Sequence, residues 1–341
     1  MLKYLIVGGI MKSSIKRNSS FELLRIIAIL MVLILHYFNG GMGGALNNVK
    51  VNSFNYYSVY IIESLSIIAV NLFILISGYF MCKKKEVKIN KALNLIILTS
   101  LYSVGFYILS IFMGSSKFSF GELVYAFIPF TYGSKWFIGS YAVLSIISPY
   151  LNIIFENLNK KEMKRLSAIL VIAISIVPTL LNNISYNDNG YGVLSFIMLY
   201  TIGSYIRLHY KEEKNILMYC IGYVVFAALT FGYSLISDKA WNYNSIFNVI
   251  SSITFFLIFT KIKIKSRFIN KLATFSFAIY VIHTEPRISS ILYKTILRCN
   301  QFWNSKLFLI HMIISVIIIY LICISIEYTR RVIFKILKIN I

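Results

Sequence analysis

Arg25 and His36 lie in a predominantly apolar run, FELLRIIAILMVLILHY, at residues 21–37. Eleven residues at 100° each bring His36 to about 20° past three full turns from Arg25, so a helix presents both on one face. The same helix separates them by roughly 16 Å along its axis. Ionisable groups at membrane depth are costly and point first to function. An arginine can hold a phosphate by charge-assisted hydrogen bonds. A histidine titrates near neutrality and can act as a general base toward a hydroxyl. A gap of roughly 16 Å is comparable to a pantetheine arm, so a thioester anchored at Arg25 would reach His36. The bland readings are a snorkelling arginine at a helix end and an interfacial histidine bonded to nearby backbone. The shared face weighs against both.

The elements that must position this pair are written in the composition. Of 341 residues, 58% are hydrophobic and only 13% charged, and the mean hydropathy is +0.75. Soluble domains carry about twice that share of charge, so an ordinary soluble globule is excluded. Ten apolar segments can be read, at 22–38, 60–81, 92–113, 137–155, 166–182, 193–209, 215–236, 244–260, 272–292 and 307–329. Several run long enough to cross a hydrocarbon core of roughly 30 Å. The expectation is an all-α polytopic membrane bundle of about ten transmembrane helices. It forms a single domain over 1–341, with a basic N-terminus at 1–21, the bundle at 22–329 and a basic tail at 330–341.

The net charge of +22 falls in short clusters between apolar runs, not on one basic face, so no nucleic-acid partner is expected. Of the 34 Lys and Arg residues, 25 fall on alternate connections that include both termini, eight fall on the others, and Arg25 lies within a helix. That bias places both termini in the cytoplasm. Arg25 then sits about one turn inside the cytoplasmic boundary and His36 near the outer end. The first ten residues are too weakly flanked for a signal peptide, and Met11 opens a second candidate start. Cys82, Cys220, Cys299 and Cys323 share no metal-like spacing. The four scattered histidines predict no metal site.

At this point the residues resemble a known family. RNSSFELLRIIAILMVLILHY (17–37) is similar to the first helix of the acyltransferase-3 family of membrane acyltransferases, whose hallmark is an arginine, ten residues and a histidine. Arg25 and His36 match it, and Glu22 stands where the family usually has an acidic residue. VNLFILISGYF (70–80) resembles the family block that ends in Ser-Gly-aromatic, here Ser77, Gly78 and Tyr79. Asn71 replaces the aspartate often found there. WFIGSYAVLSIISPYLN (136–152) resembles the tryptophan-led helix, and FSFAIYVIHTEP (275–286) the block carrying Ser276, Tyr280 and His283. The four blocks occur in family order. The resemblance implies transfer of an acyl group, usually acetyl, from a cytosolic donor to a carbohydrate at the outer membrane face. The chain stops soon after its last helix, as expected of the stand-alone form.

With this topology Ser77 and Gly78 lie at Arg25's depth. Small residues let helices approach closely, and with Tyr79 they are candidates to line the acyl-donor site, with plain helix packing as the bland reading. Trp136 lies at the outer surface, where membrane anchoring competes with a sugar-stacking role. His283 falls near mid-depth, where it must be partnered, and is expected to orient His36 or relay its proton. Tyr280 shares its side of the helix. Glu285, 200° from His283 on a helix, need not cooperate with it. Glu63 is a second acid candidate on the outer side, with an outer-rim carboxylate as the bland reading. His209 is expected to be solvated, and His311 to be packed or bonded at the interface.

The expected activity is membrane O-acyltransfer, most simply O-acetylation of an extracytoplasmic or lipid-linked polysaccharide. Acyl-CoA serves as co-substrate and no cofactor is tightly bound. Direct transfer is simpler than an acyl-enzyme, since no Ser or Cys stands out as nucleophile. The expected partners are the lipid bilayer, a glycan acceptor, and other polysaccharide-assembly proteins or a separate extracytoplasmic transferase. A bacterial plasma membrane is the expected location. The rival classes are a polysaccharide exporter or flippase and a glycan polymerase. The repeated halves of transporters and a large outer loop are both missing from the sequence.

Overall fold

The computed structural model describes residues 17–86, 89–128, 135–211 and 215–339. The two candidate start residues, Met1 and Met11, and the first part of the basic N-terminus lie outside the described residues. The described chain is helical throughout. Its principal helices are α1 (Ser19–Phe38), α2 (Phe54–Ser66), α3 (Ala69–Met81), α4 (Ile89–Phe112), α5 (Trp136–Asn157), α6 (Lys160–Val171), α7 (Val193–His209), α8 (Ile216–Ser234), α9 (Ile246–Lys261), α10 (Ser276–His283) and α11 (Phe308–Ile336).

Among the described residues, eight stretches are long and apolar enough to cross a membrane. α2 and α3 form one of them, Phe54–Met81, jointed at Ile67 and Ile68, which both keep right-handed helical angles. α6 continues through a π-helical turn and Pro178 to Leu180. α7 is a shorter apolar helix of 17 residues. The segment expected as one helix over 272–292 is instead broken. A 3-10 turn at Ala273–Phe275 leads into α10, and a separate short helix starts at Pro286. Proline has no N–H to donate and pushes the preceding residue out of the helical region. Glu285 accordingly has φ −64° and ψ 122°.

The outward faces of α4, α8 and α11 carry exposed Leu, Ile, Val and Phe, among them Ile97, Leu109, Leu217, Ile221, Ile313 and Ile317. Such continuous apolar cover suits lipid rather than water. α1 is an inner helix, packing against α2, α3, α9, α10 and α11. Its Leu24, Ala28, Ile29 and Leu33 are fully buried. α3 and α7 approach closely. A Cβ on Gly78 would lie 2.3 Å from the Tyr200 carbonyl oxygen, and one on Gly203 would lie 2.5 Å from that of Leu75. Each helix thus presents a glycine to the other's backbone, the small-residue mode of packing between membrane helices.

Candidate active site

α1 begins at Asn18, whose side chain accepts from the Ser20 N–H at 3.1 Å. The Ser20 hydroxyl donates to the Ile262 carbonyl at 2.6 Å and so ties the start of α1 to the end of α9. Glu22 lies in the first turn, where a carboxylate complements the helix dipole. It also accepts from the Arg25 guanidinium at 2.7 Å. Three residues is the spacing at which side chains on one helix meet. The pair tethers Arg25 to the first turn of α1, with a third of its side chain still accessible.

Arg25 and His36 line one cavity of about 310 Å³. Glu22 and Arg17 join Arg25 at one end. Val32, Val70, Phe73, Ile76 and Phe277 give the cavity apolar walls, and Ser77, Tyr141 and Tyr280 contribute hydroxyls. The Ser77 Oγ and the Tyr141 phenol lie 3.0 Å apart in a hydrogen bond. Trp136 and Tyr243 also face the cavity, and their rings are 5.7 Å apart. Tyr191 packs edge-on against Trp136 at 4.6 Å.

His36 does not stand alone. Its Nδ1 is 2.7 Å from His283 Nε2, and the His283 Nδ1 is 2.5 Å from the Ile279 carbonyl oxygen. A carbonyl only accepts, so His283 carries its proton on Nδ1. Its Nε2 is then an acceptor, and His36 must donate from Nδ1. The remaining nitrogen of His36, Nε2, keeps its lone pair and makes no hydrogen bond among the described residues. This hydrogen-bond logic assigns the tautomers. His283 is fully buried, whereas His36 is half-buried at the cavity wall. The arrangement is a base with a free lone pair, held in one tautomer by a neighbour that is itself anchored to backbone.

Six of the ten candidate residues from the sequence thus line one cavity: Glu22, Arg25, His36, Ser77, Trp136 and Tyr280. His283 stands behind His36. Three are placed elsewhere. Gly78 is taken up by the α3–α7 contact and leaves no open space there. Tyr79 turns away, stacked on Phe21 at 5.0 Å and capped by Arg207, whose guanidinium lies 5.0 Å from its ring centroid. Glu63 is buried, at 6% exposure, and not at the outer rim. Its Oε2 has no hydrogen-bond partner among the described residues.

The other two histidines divide. His311 is bonded, with Nδ1 2.7 Å from the Tyr37 hydroxyl and Nε2 2.9 Å from the Leu297 carbonyl. His209, expected to be solvated, instead has a buried Nε2 with no partner among the described residues. The sequence reading did not single out Arg17, Tyr141, Tyr243 or Thr274, all of which line the cavity. Arg17 opens the first quoted block, which was its only signal. Lys135 is one of the eight Lys and Arg residues assigned by sequence to the outer connections. It is fully buried and paired with Glu285.

A family model described as an acyltransferase domain, that of the acyltransferase-3 family, matches residues 18–328. No curated protein and no solved structure matches the chain. The matched span begins at the N-cap of α1, takes in both members of the Arg25–His36 pair, and ends within α11. With apolar helices of membrane-crossing length along most of that span, the chain belongs to the acyltransferase-3 family and is a multi-pass membrane acyltransferase.

Proposed function

We propose that the protein transfers an acyl group, acetyl in the simplest case, from cytosolic acyl-CoA to a hydroxyl of an extracytoplasmic or lipid-linked polysaccharide of a bacterial cell, working in the plasma membrane. The observation that carries this reading is the single cavity lined by Arg25 and His36. Loop charge puts the Arg25 end toward the cytosol. There Arg17 and Arg25 offer guanidiniums to the phosphates of a coenzyme A donor, and the fork geometry of arginine favours phosphate. The apolar walls of the cavity accommodate the pantetheine arm, with the Ser77 and Tyr141 hydroxyls available to its amides.

The acceptor enters from the His36 end, beside Trp136 and Tyr243, whose rings suit the apolar face of a sugar. His36 Nε2 takes the proton of the acceptor hydroxyl as that oxygen attacks the thioester carbonyl. The resulting imidazolium is stabilised by its Nδ1–H bond to His283. The tetrahedral intermediate collapses, the carbon–sulfur bond breaks, and the proton on His36 passes to the departing thiolate. The new ester and free CoA are the products, and no acyl-enzyme is formed. The rival readings, exporter and polymerase, lose their footing to the family match.

The test is acetyl transfer by protein purified into proteoliposomes, supplied with acetyl-CoA and the glycan fraction of the source cell. Acetyl-CoA-dependent ester formation on the glycan is the expected result. Intact glycan movement with no ester formed would overturn the reading in favour of transport.

A further inference from the structure

A densely bonded polar cluster outside the cavity surrounds Lys135 and Glu285. Both side chains are fully buried and form an ion pair. The Lys135 Nζ also donates to the Ser103 hydroxyl at 2.5 Å, and that hydroxyl donates to Glu285 Oε2 at 3.0 Å. The other oxygen of Glu285 accepts from Arg287 at 2.9 Å. Arg287 in turn reaches Glu122 at 2.7 Å and lies over the Tyr107 ring at 4.7 Å. The cluster joins α4, the α5 start, the short helix Phe120–Phe127 and the chain immediately after α10.

A fully buried ion pair is a poor device for stability alone. Two well-packed apolar side chains of similar volume serve at least as well, because both charges must be stripped of water. What such a pair supplies is a fixed position, and its place in the fold says for what. Glu285 is two residues beyond His283, at the break before Pro286, where α10 ends and its last turn would otherwise fray. Lys135 is the residue before Trp136, at the start of the helix that carries Trp136, Phe137 and Tyr141 into the cavity.

We propose that the buried Lys135–Glu285 pair is a positioning clamp for the histidine pair. It pins the end of α10 so that His283 Nε2 meets His36 Nδ1, and it locks that end to the start of the cavity-lining helix α5. The clamp touches neither donor nor acceptor. It acts through His283. The inference rests on His36 being the general base, and its test is chosen to be readable without any transfer reaction.

The experiment uses the full chain in nanodiscs and diethyl pyrocarbonate, which carbethoxylates free imidazole nitrogens, with each histidine followed by peptide mass spectrometry. In the wild type both nitrogens of His283 are engaged, so His36 reacts and His283 is protected. Lys135→Met combined with Glu285→Leu removes both charges together, which spares the fold the unpaired Lys135 that Glu285→Leu alone would bury, while Arg287 keeps its pair with Glu122. The clamp predicts a folded double variant in which His283 reacts at a rate approaching that of His36. Its kcat should fall by about a hundredfold, the scale of a 1 Å misplacement, with KM for acyl-CoA unchanged.

Glu285→Asp keeps the charge and draws the carboxylate back by one methylene. It should expose His283 partly, and it carries the test if the double variant does not fold. His283 as protected as in wild type, in a folded variant, overturns the clamp. Full transfer by a His36→Ala variant would instead overturn the general-base reading and leave the labelling result standing.

Discussion

His36 and His283 share a 2.7 Å hydrogen bond that runs from Nδ1 of the first to Nε2 of the second. They are 247 residues apart in the chain and meet because α1 packs against α10. The bond decides which nitrogen of His36 is free. With Nδ1 committed as donor, Nε2 is left as a base at the cavity wall, on the same cavity that Arg25 lines.

Replacing His283 should therefore impair catalysis without removing the base. His283→Phe keeps a ring of similar size and removes the acceptor for His36 Nδ1–H. The imidazole of His36 is then free to adopt either tautomer, and its cation loses a partner. A fall in kcat of about a hundredfold is expected, the scale at which mispositioning acts, with KM for the donor little changed. Steady-state kinetics at saturating acyl-CoA checks the split. A raised donor KM at full kcat would place His283 in donor binding instead.

Arg25 is expected to show the opposite signature. Arg25→Ala removes the guanidinium that Glu22 holds in place. The acyl-CoA KM should rise by about ten- to a hundredfold, the equivalent of one charge-assisted hydrogen bond or two. Arg25→Lys should recover only part of this, because an ammonium lacks the planar fork. Isothermal titration with desulfo-CoA, which cannot react, measures the same loss free of chemistry.

Gly78 gives a prediction of another kind. A methyl group at this position would meet the Tyr200 carbonyl oxygen at 2.3 Å, so α3 and α7 must separate. Gly78→Ala should destabilise the protein by about 1–3 kcal/mol, the usual cost of overpacking, seen as a lower melting temperature in detergent. If Gly78 instead left room for the donor, the substitution would raise KM and leave the melting temperature unchanged.

Trp136→Leu should raise KM for the glycan acceptor and leave KM for acyl-CoA in place, because the ring faces the cavity beside Tyr243 while the guanidiniums line it with Glu22. Initial rates with each substrate varied in turn check this. Equal effects on both substrates would assign Trp136 to packing of the cavity wall.

Much of this arrangement could be read from the residues. The eleven-residue spacing put Arg25 and His36 on one face, and they line one cavity. Burial alone required His283 to have a partner, and the partner is His36. What the sequence did not carry was mostly a matter of neighbours distant in the chain. Lys135 and Glu285 are 150 residues apart, and nothing local to either marks a buried pair. The break in the 272–292 segment had a local signal in Pro286, but the apolar run on both sides outweighed it. Gly78 had two local readings, packing or room for a ligand. Only the position of α7 decides between them.

His36→Ala tests the central claim most directly. Wild type and variant, purified to equal amounts into proteoliposomes and matched in melting temperature, would be compared for acetyl-CoA-dependent acetylation of the glycan acceptor. Loss of the general base predicts a rate lower by about 10²–10⁴-fold, with desulfo-CoA binding unchanged. A variant that binds desulfo-CoA normally and still acetylates at the wild-type rate would contradict the account.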